Sequence, residues 1–130
     1  MTTPTDVVTT YFSALANGDV PTAVGQLSPH LVWHQPGANR FSGDHHGPEG
    51  FGALIGAMME ATAGSFTVAP TGPVMANGDL VAVPVHFSGR SAQQRLDMPG
   101  VDLLRVEDDQ IVEVWLFSRD AEAEDEFWGR

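Results

Sequence analysis

Residues 33–47 read WHQPGANRFSGDHHG and hold three of the chain's five histidines; a fourth, His30, lies just before them. Imidazole titrates closest to neutral pH, so such a stretch suggests a metal site or a proton carrier. The spacing argues against a metal. Asp44, His45 and His46 are adjacent, and adjacent residues rarely converge on one ion. His30 and His34 have the i, i+4 spacing of helical zinc ligands, but Val32 and Trp33 between them read as strand. No metal is expected. His34 is left as either a candidate base or a strand-end histidine capping the loop, and GDHHG as a polar loop.

Asp102 stands out farther along. It lies in the run VDLLRV, where strand alternation places Asp102, Leu104 and Val106 on one face and Val101, Leu103 and Arg105 on the other. A carboxylate among apolar neighbours is disfavoured when ionised, so its pKa rises. A raised pKa is what a general acid, or a hydrogen-bond-donating carboxyl, needs near neutrality. The competing reading is a strand-edge aspartate, solvated or paired with Arg90 or Arg95. His86 has the opposite parity to Val81, Val83 and Val85, so it faces the other layer if the valines pack inward. It is either a proton carrier or a surface or dimer-interface histidine. Tyr11 sits on an apolar helix stripe, where most tyrosines are core residues with the hydroxyl satisfied at the edge.

Composition narrows the chemistry further. The 130 residues suffice for one domain and are too few for two. Net charge is −11, from 6 arginines, no lysine and 17 acidic residues. Such a chain is repelled by phosphate backbones and anionic lipid, so neither nucleic acid nor a membrane is an expected partner. Ten of the 17 carboxylates fall between Asp102 and Glu126 and read as a solvated face and tail. Without cysteine there is no thiolate nucleophile, and without lysine no Schiff base. Gly37, Gly43 and Gly47 lack nucleotide-loop spacing, and no serine elbow is present. The N-terminus MTTPTDVV shows no signal peptide, which leads to an expected cytoplasmic location.

These groups need elements to hold them. Val8, Tyr11, Phe12 and Leu15 form one helical stripe in 5–17, with Gly18 as stop and Asp19 as the next N-cap. A short helix over about 20–28 precedes a strand over about 31–35. Pro48 opens a third helix whose apolar face is Phe51, Leu54, Ile55, Met58 and Met59. Strands then follow at 65–75, at 80–89 after the Asn77-Gly78-Asp79 turn, up to Val106, and at 111–118 after an acidic turn. A short helix over 120–128 ends in Phe127 and Trp128. This order predicts an α+β fold: a curved, mostly antiparallel sheet wrapped around about three helices, a cone with an internal hydrophobic pocket.

The segment YFSALANGD (11–19) resembles the first-helix signature of the nuclear transport factor two-like superfamily. VDLLRVEDDQIVEVW (101–115) resembles its final hairpin. WHQPGAN (33–39) and DEFW (125–128) look like a subgroup of SnoaL-like proteins. The resemblance covers nearly the whole chain and implies a single domain over 1–130. It also implies roles. Tyr11 and Asp102 match the oxyanion-holding tyrosine and aspartate of ketosteroid isomerase, and His34 falls where that enzyme keeps its aspartate base. In SnoaL-like polyketide cyclases the acid/base is the aspartate at the position of Asp102, and His86 matches a histidine on the preceding strand.

The resulting expectation is a cofactor-independent acid/base enzyme of cyclase or isomerase type, acting on a hydrophobic small molecule. Asp102, His86, His34 and Tyr11 are its candidate catalytic groups; Trp33, Phe51, Leu54, Met58 and Leu104 are its candidate substrate-binding residues. Enolate chemistry needs only a base and a preorganised donor, so no cofactor is required. A homodimer across the outer face of the sheet is expected, with Trp115 and Phe117 as interface residues. The alternatives are a non-catalytic binder of the same fold, and a dehydratase or water-assisted epoxide opening. Arg105 has the wrong parity relative to Asp102 for the last of these.

Overall fold

The computed structural model describes residues 1–130, which form four helices and seven strands. Helix α1 (Pro4–Ala16) starts at a reciprocal Thr3–Asp6 capping box, and Pro4 costs nothing at a position whose N–H is orphaned anyway. Gly18, at φ +71°, supplies the left-handed residue that turns the chain, and Asp19 caps α2 (Val20–Gly25). Strand β1 (Leu27–Gln35) follows, then β2 (Gly43–His46), α3 (Gly47–Ala61), β3 (Thr67–Pro70) and β4 (Met75–Asn77). The long strands β5 (Leu80–Arg90) and β6 (Arg95–Glu107) come next, then β7 (Gln110–Ser118) and α4 (Ala121–Trp128). No helix is long and apolar enough to cross a membrane.

The strands make one curved, unclosed sheet in the order β2-β1-β7-β6-β5-β3, with β4 also on β5. Only β1 and β7 run parallel. Register fixes which side chains share a face. Val83 pairs with Asp102 and Asp102 with Leu116, while Trp33 pairs with Val114, and Leu104 with both Val114 and Val81. These residues form the inner face, packed against α1 and α3. The alternate residues, including Val32, His34, Glu113, Trp115, Phe117, Arg105, Val101, Asp97 and His86, form the outer face. Twenty-five buried apolar residues make one continuous core between inner face and helices.

The architecture is the expected cone, with three local differences. GDHHG forms β2 rather than a loop, with Trp33 opposite His45 and His34 opposite Asp44. The exposed edge of β1 recruits it by backbone pairing, so no apolar alternation marks it in the sequence. The strand expected over 65–75 splits into β3 and β4, because Pro70 and Pro73 lack the N–H a continuous ladder needs. Helix α2 ends at Gly25, and β1 begins four residues earlier than the apolar run suggests, carrying an irregularity between Leu27 and Val32.

Candidate active site

Asp102 sits at the middle of β6, on the inner face, between Val83 and Leu116 on the neighbouring strands. It is enclosed by protein, yet part of its surface remains accessible, as befits a group lining interior space. Burial alone pushes its pKa from 3.8 up to about 7; no hydrogen bond or cation offsets the desolvation. Tyr11, on the buried stripe of α1, faces the same region. Its pKa is raised, first by burial and then by the charge of Asp102. The one fully sealed side-chain polar atom without a partner is Nε of Arg105. The Tyr11 hydroxyl and Asp102 carboxyl, unpaired within the protein, therefore still touch open space.

The wall around this pair is aromatic and aliphatic. Phe51 on α3 meets Tyr11 edge-on at 6.2 Å between ring centroids and Trp33 at 5.0 Å. The indole N–H of Trp33 donates to Oε1 of Gln35 at 3.0 Å, which satisfies a buried donor and fixes the ring. Leu54, Met58 and Leu104 complete the core here, each 3% exposed or less. Little of this wall is accessible: Tyr11 and Phe51 are each 3% exposed and Trp33 7%. Cavities of about 670 and 520 Å³ open elsewhere, at the β1–α3 junction and between β6 and α4, and Asp102 lines neither.

The two candidate histidines do not join Asp102. His34 lies on the outer face, where Nδ1–H donates to Asp44 at 2.7 Å and Nε2–H to Glu113 at 2.6 Å. Two carboxylates require two N–H donors, so this geometry favours imidazolium. The Glu113 hydrogen bond is the main cause of its raised pKa, with burial opposing and Asp44 assisting. Its ring stacks on Trp115 at 5.6 Å, while the guanidinium of Arg105 lies 5.3 Å from the same indole and bonds Glu113 at 2.9 Å. His86 is also on the outer face, bonded to Asp97, whose pKa that bond lowers. Strand parity explains both placements: each alternates with inward residues, Trp33 and Leu31 in one case and the β5 valines in the other.

Of the other histidines, His45 Nε2 donates to the Phe41 carbonyl at 2.8 Å. No three His, Asp or Glu side chains converge as metal ligands would. One buried carboxyl escaped the sequence reading. Glu124, in the acidic tail, is 6% exposed; burial raises its pKa, and it accepts from the Ser118 hydroxyl and from Trp128 Nε1. Its i, i+3, i+4 spacing to Phe127 and Trp128 was the available signal.

Residues 8–114 match the family model described as a SnoaL-like domain. A Xanthomonas campestris protein of unknown function with a cystatin-like fold is 44% identical, covering 99% of this chain and 100% of that one at a TM-score of 0.92. Bal32a, from a soil-derived mobile gene cassette, is 25% identical over 96% and 95% of the two chains at 0.89. A Sinorhizobium meliloti protein provisionally named a polyketide cyclase is 21% identical over 85% and 93%, with a TM-score of 0.66. Among curated proteins nothing matches the chain.

Proposed function

The chain belongs to the SnoaL-like domain family, and from that premise we propose a cofactor-independent acid/base enzyme acting on a hydrophobic small molecule. The observation that carries this reading is Asp102: an interior carboxyl, unpaired, with a pKa pushed up to about 7 and Tyr11 beside it. Near neutral pH such a group is available in both protonation states, which general acid/base catalysis requires. The carboxylate form takes a proton from carbon next to a substrate carbonyl. The Tyr11 hydroxyl donates to the carbonyl oxygen as it becomes an enolate oxygen. Asp102 then returns its proton, to a second carbon in an isomerisation or to the alkoxide formed when the enolate carbon attacks a second carbonyl in a cyclisation. The name of the Sinorhizobium protein accords with the cyclisation. Trp33, Phe51, Leu54, Met58 and Leu104 supply the apolar contact surface for a hydrophobic substrate.

His34 and His86 have no part in this scheme, because both project from the opposite side of the sheet. We propose that a second copy docks on the outer face, a reading supported by the exposed Phe117 and Val101 there.

The test is proton exchange. In D₂O, wild type should catalyse α-deuteration of members of a panel of hydrophobic ketones, followed by NMR. Asp102→Asn should lower the rate by about 10²–10⁴. Exchange at the wild-type rate in that variant would end the assignment. A second reading, a non-catalytic binder, is favoured by how little of the apolar wall beside Asp102 is accessible. It predicts saturable ketone binding to both proteins and exchange by neither.

A further inference from the structure

Gln35, the last residue of β1, is a polar side chain that the acid/base scheme leaves idle. It is 7% exposed and shares the parity of Leu31 and Trp33, so it belongs to the inner face. An indole N–H only donates, so the amide oxygen of Gln35 is the atom that accepts from Trp33, and the other end of the amide is NH₂. That NH₂ has no partner within the protein. It is not sealed either, because Nε of Arg105 is the one sealed side-chain polar atom without a partner. The NH₂ therefore borders open space, as the Asp102 carboxyl and the Tyr11 hydroxyl do.

Register sets this amide across from the carboxyl. Strands β1 and β7 run parallel, with Trp33 opposite Val114 and His34 opposite Trp115. One step on, Gln35 comes level with Leu116, and Leu116 pairs with Asp102. The three make one inner-face row across β6, β7 and β1. Two strand spacings put the main chains of Asp102 and Gln35 about 10 Å apart. Leu116 is the apolar residue between them, and unlike Leu54, Met58 and Leu104 it is partly exposed.

We propose, resting on the acid/base reading of Asp102 and Tyr11, that Gln35 determines specificity at the same site: its NH₂ donates to a second substrate oxygen, a carbonyl at the far end of the skeleton from the reacting one. The substrate class is then a hydrophobic ketone with a remote second carbonyl, its carbon framework lying on Leu116. A purely hydrocarbon end in that place would strip water from the NH₂ and leave it unpaired, and a site with a buried donor rejects an analogue lacking the acceptor. Trp33 holds the amide in the orientation that presents the donor.

The probes are β-decalone and the same ring system with a second ketone on the far ring, each titrated by NMR against the ¹⁵N-labelled protein. The side-chain NH₂ signals of Gln35 should move downfield with the diketone and not with the monoketone. The diketone should bind wild type about fivefold more tightly, the gain expected of one neutral hydrogen bond. In Gln35→Met, which keeps the chain length and loses the donor, the two ketones should bind equally. A role confined to orienting Trp33 would change both affinities alike and leave their ratio as it was. The wild-type arm decides the matter even if Gln35→Met fails to fold. The readout is binding, so the two readings can fail separately: the acid/base assignment on exchange by Asp102→Asn, the Gln35 assignment on ketone preference. No saturable binding of the diketone, equal binding of both ketones to wild type, NH₂ signals that do not move, or a preference that survives Gln35→Met would overturn the proposal.

Discussion

Val101 and Phe117 stand directly opposite each other on adjacent strands of the outer face, and both are exposed, at 38% and 56%. Beside them Trp115 is held between His34 and Arg105, with Glu113 bonded to both. An apolar centre with a Trp and an Arg beside it is the composition that the proposed homodimer interface needs. The opposite signs on this face also lessen the repulsion between two copies of an acidic chain. On the proposed homodimer, wild type should have the mass of a dimer and Phe117→Asp that of a folded monomer, as read by light scattering after size exclusion and by circular dichroism. A variant whose mass is unchanged would remove this face from the interface.

Asp102 imposes a stability cost that follows from its chemistry. Its folded pKa, about 7, lies above the 3.8 of the free side chain, so between those values the folded state binds the extra proton. Stability should fall as pH rises from about 4 to 7 and level off above, with a loss of at most roughly 4 kcal/mol. Asp102→Asn removes the charge and sacrifices no hydrogen bond. It should raise the Tm above that of wild type at pH 8 and leave it nearly equal at pH 4. The same substitution that stops proton exchange thus stabilises the fold, a combination that misfolding cannot mimic.

His34 should behave in the opposite sense. Its pKa is raised in the fold, so its contribution is complete below about 6.5, the value of the free imidazole, and fades as pH climbs through the folded value. His34→Gln should be more destabilising at pH 5.5 than at pH 9. Equal losses at both would mean that packing on Trp115, not charge, is what the ring contributes. The site is partly exposed, so added salt should shrink the pH 5.5 effect.

The contrast between these residues explains what could be read in advance. Period-2 alternation correctly separates Asp102 and Leu104 from Arg105, and Trp33 from His34, because long strands with one buried face carry that signal in every residue. The helix stripes of α1 and α3 are equally legible. The same parity leaves open which side is inward; the register places His34 and His86 on the face opposite Asp102. Strand β2 was invisible for another reason: GDHHG is held by backbone pairing to β1, and its side chains carry no burial pattern. Glu124 was hidden by its acidic neighbours, although its spacing to Phe127 and Trp128 put it on the docking stripe of α4.

The turn between β6 and β7 offers a last test, in stability alone. Glu107 pairs with Gln110, so Asp108 and Asp109 form a two-residue turn with φ of 51° and 62°. Both are in the left-handed region, which a two-residue hairpin needs and which most side chains resist. Aspartate tolerates that region better than most, but glycine is preferred at the second position, and the adjacent like charges add repulsion. Asp109→Gly should stabilise the protein by about 1 kcal/mol, offset in part by the greater freedom of glycine in the unfolded chain. In urea the midpoint should rise with an unchanged m-value, since the surface exposed on unfolding is the same. A lower midpoint would mean that the Asp109 side chain makes a favourable local interaction that outweighs its backbone strain.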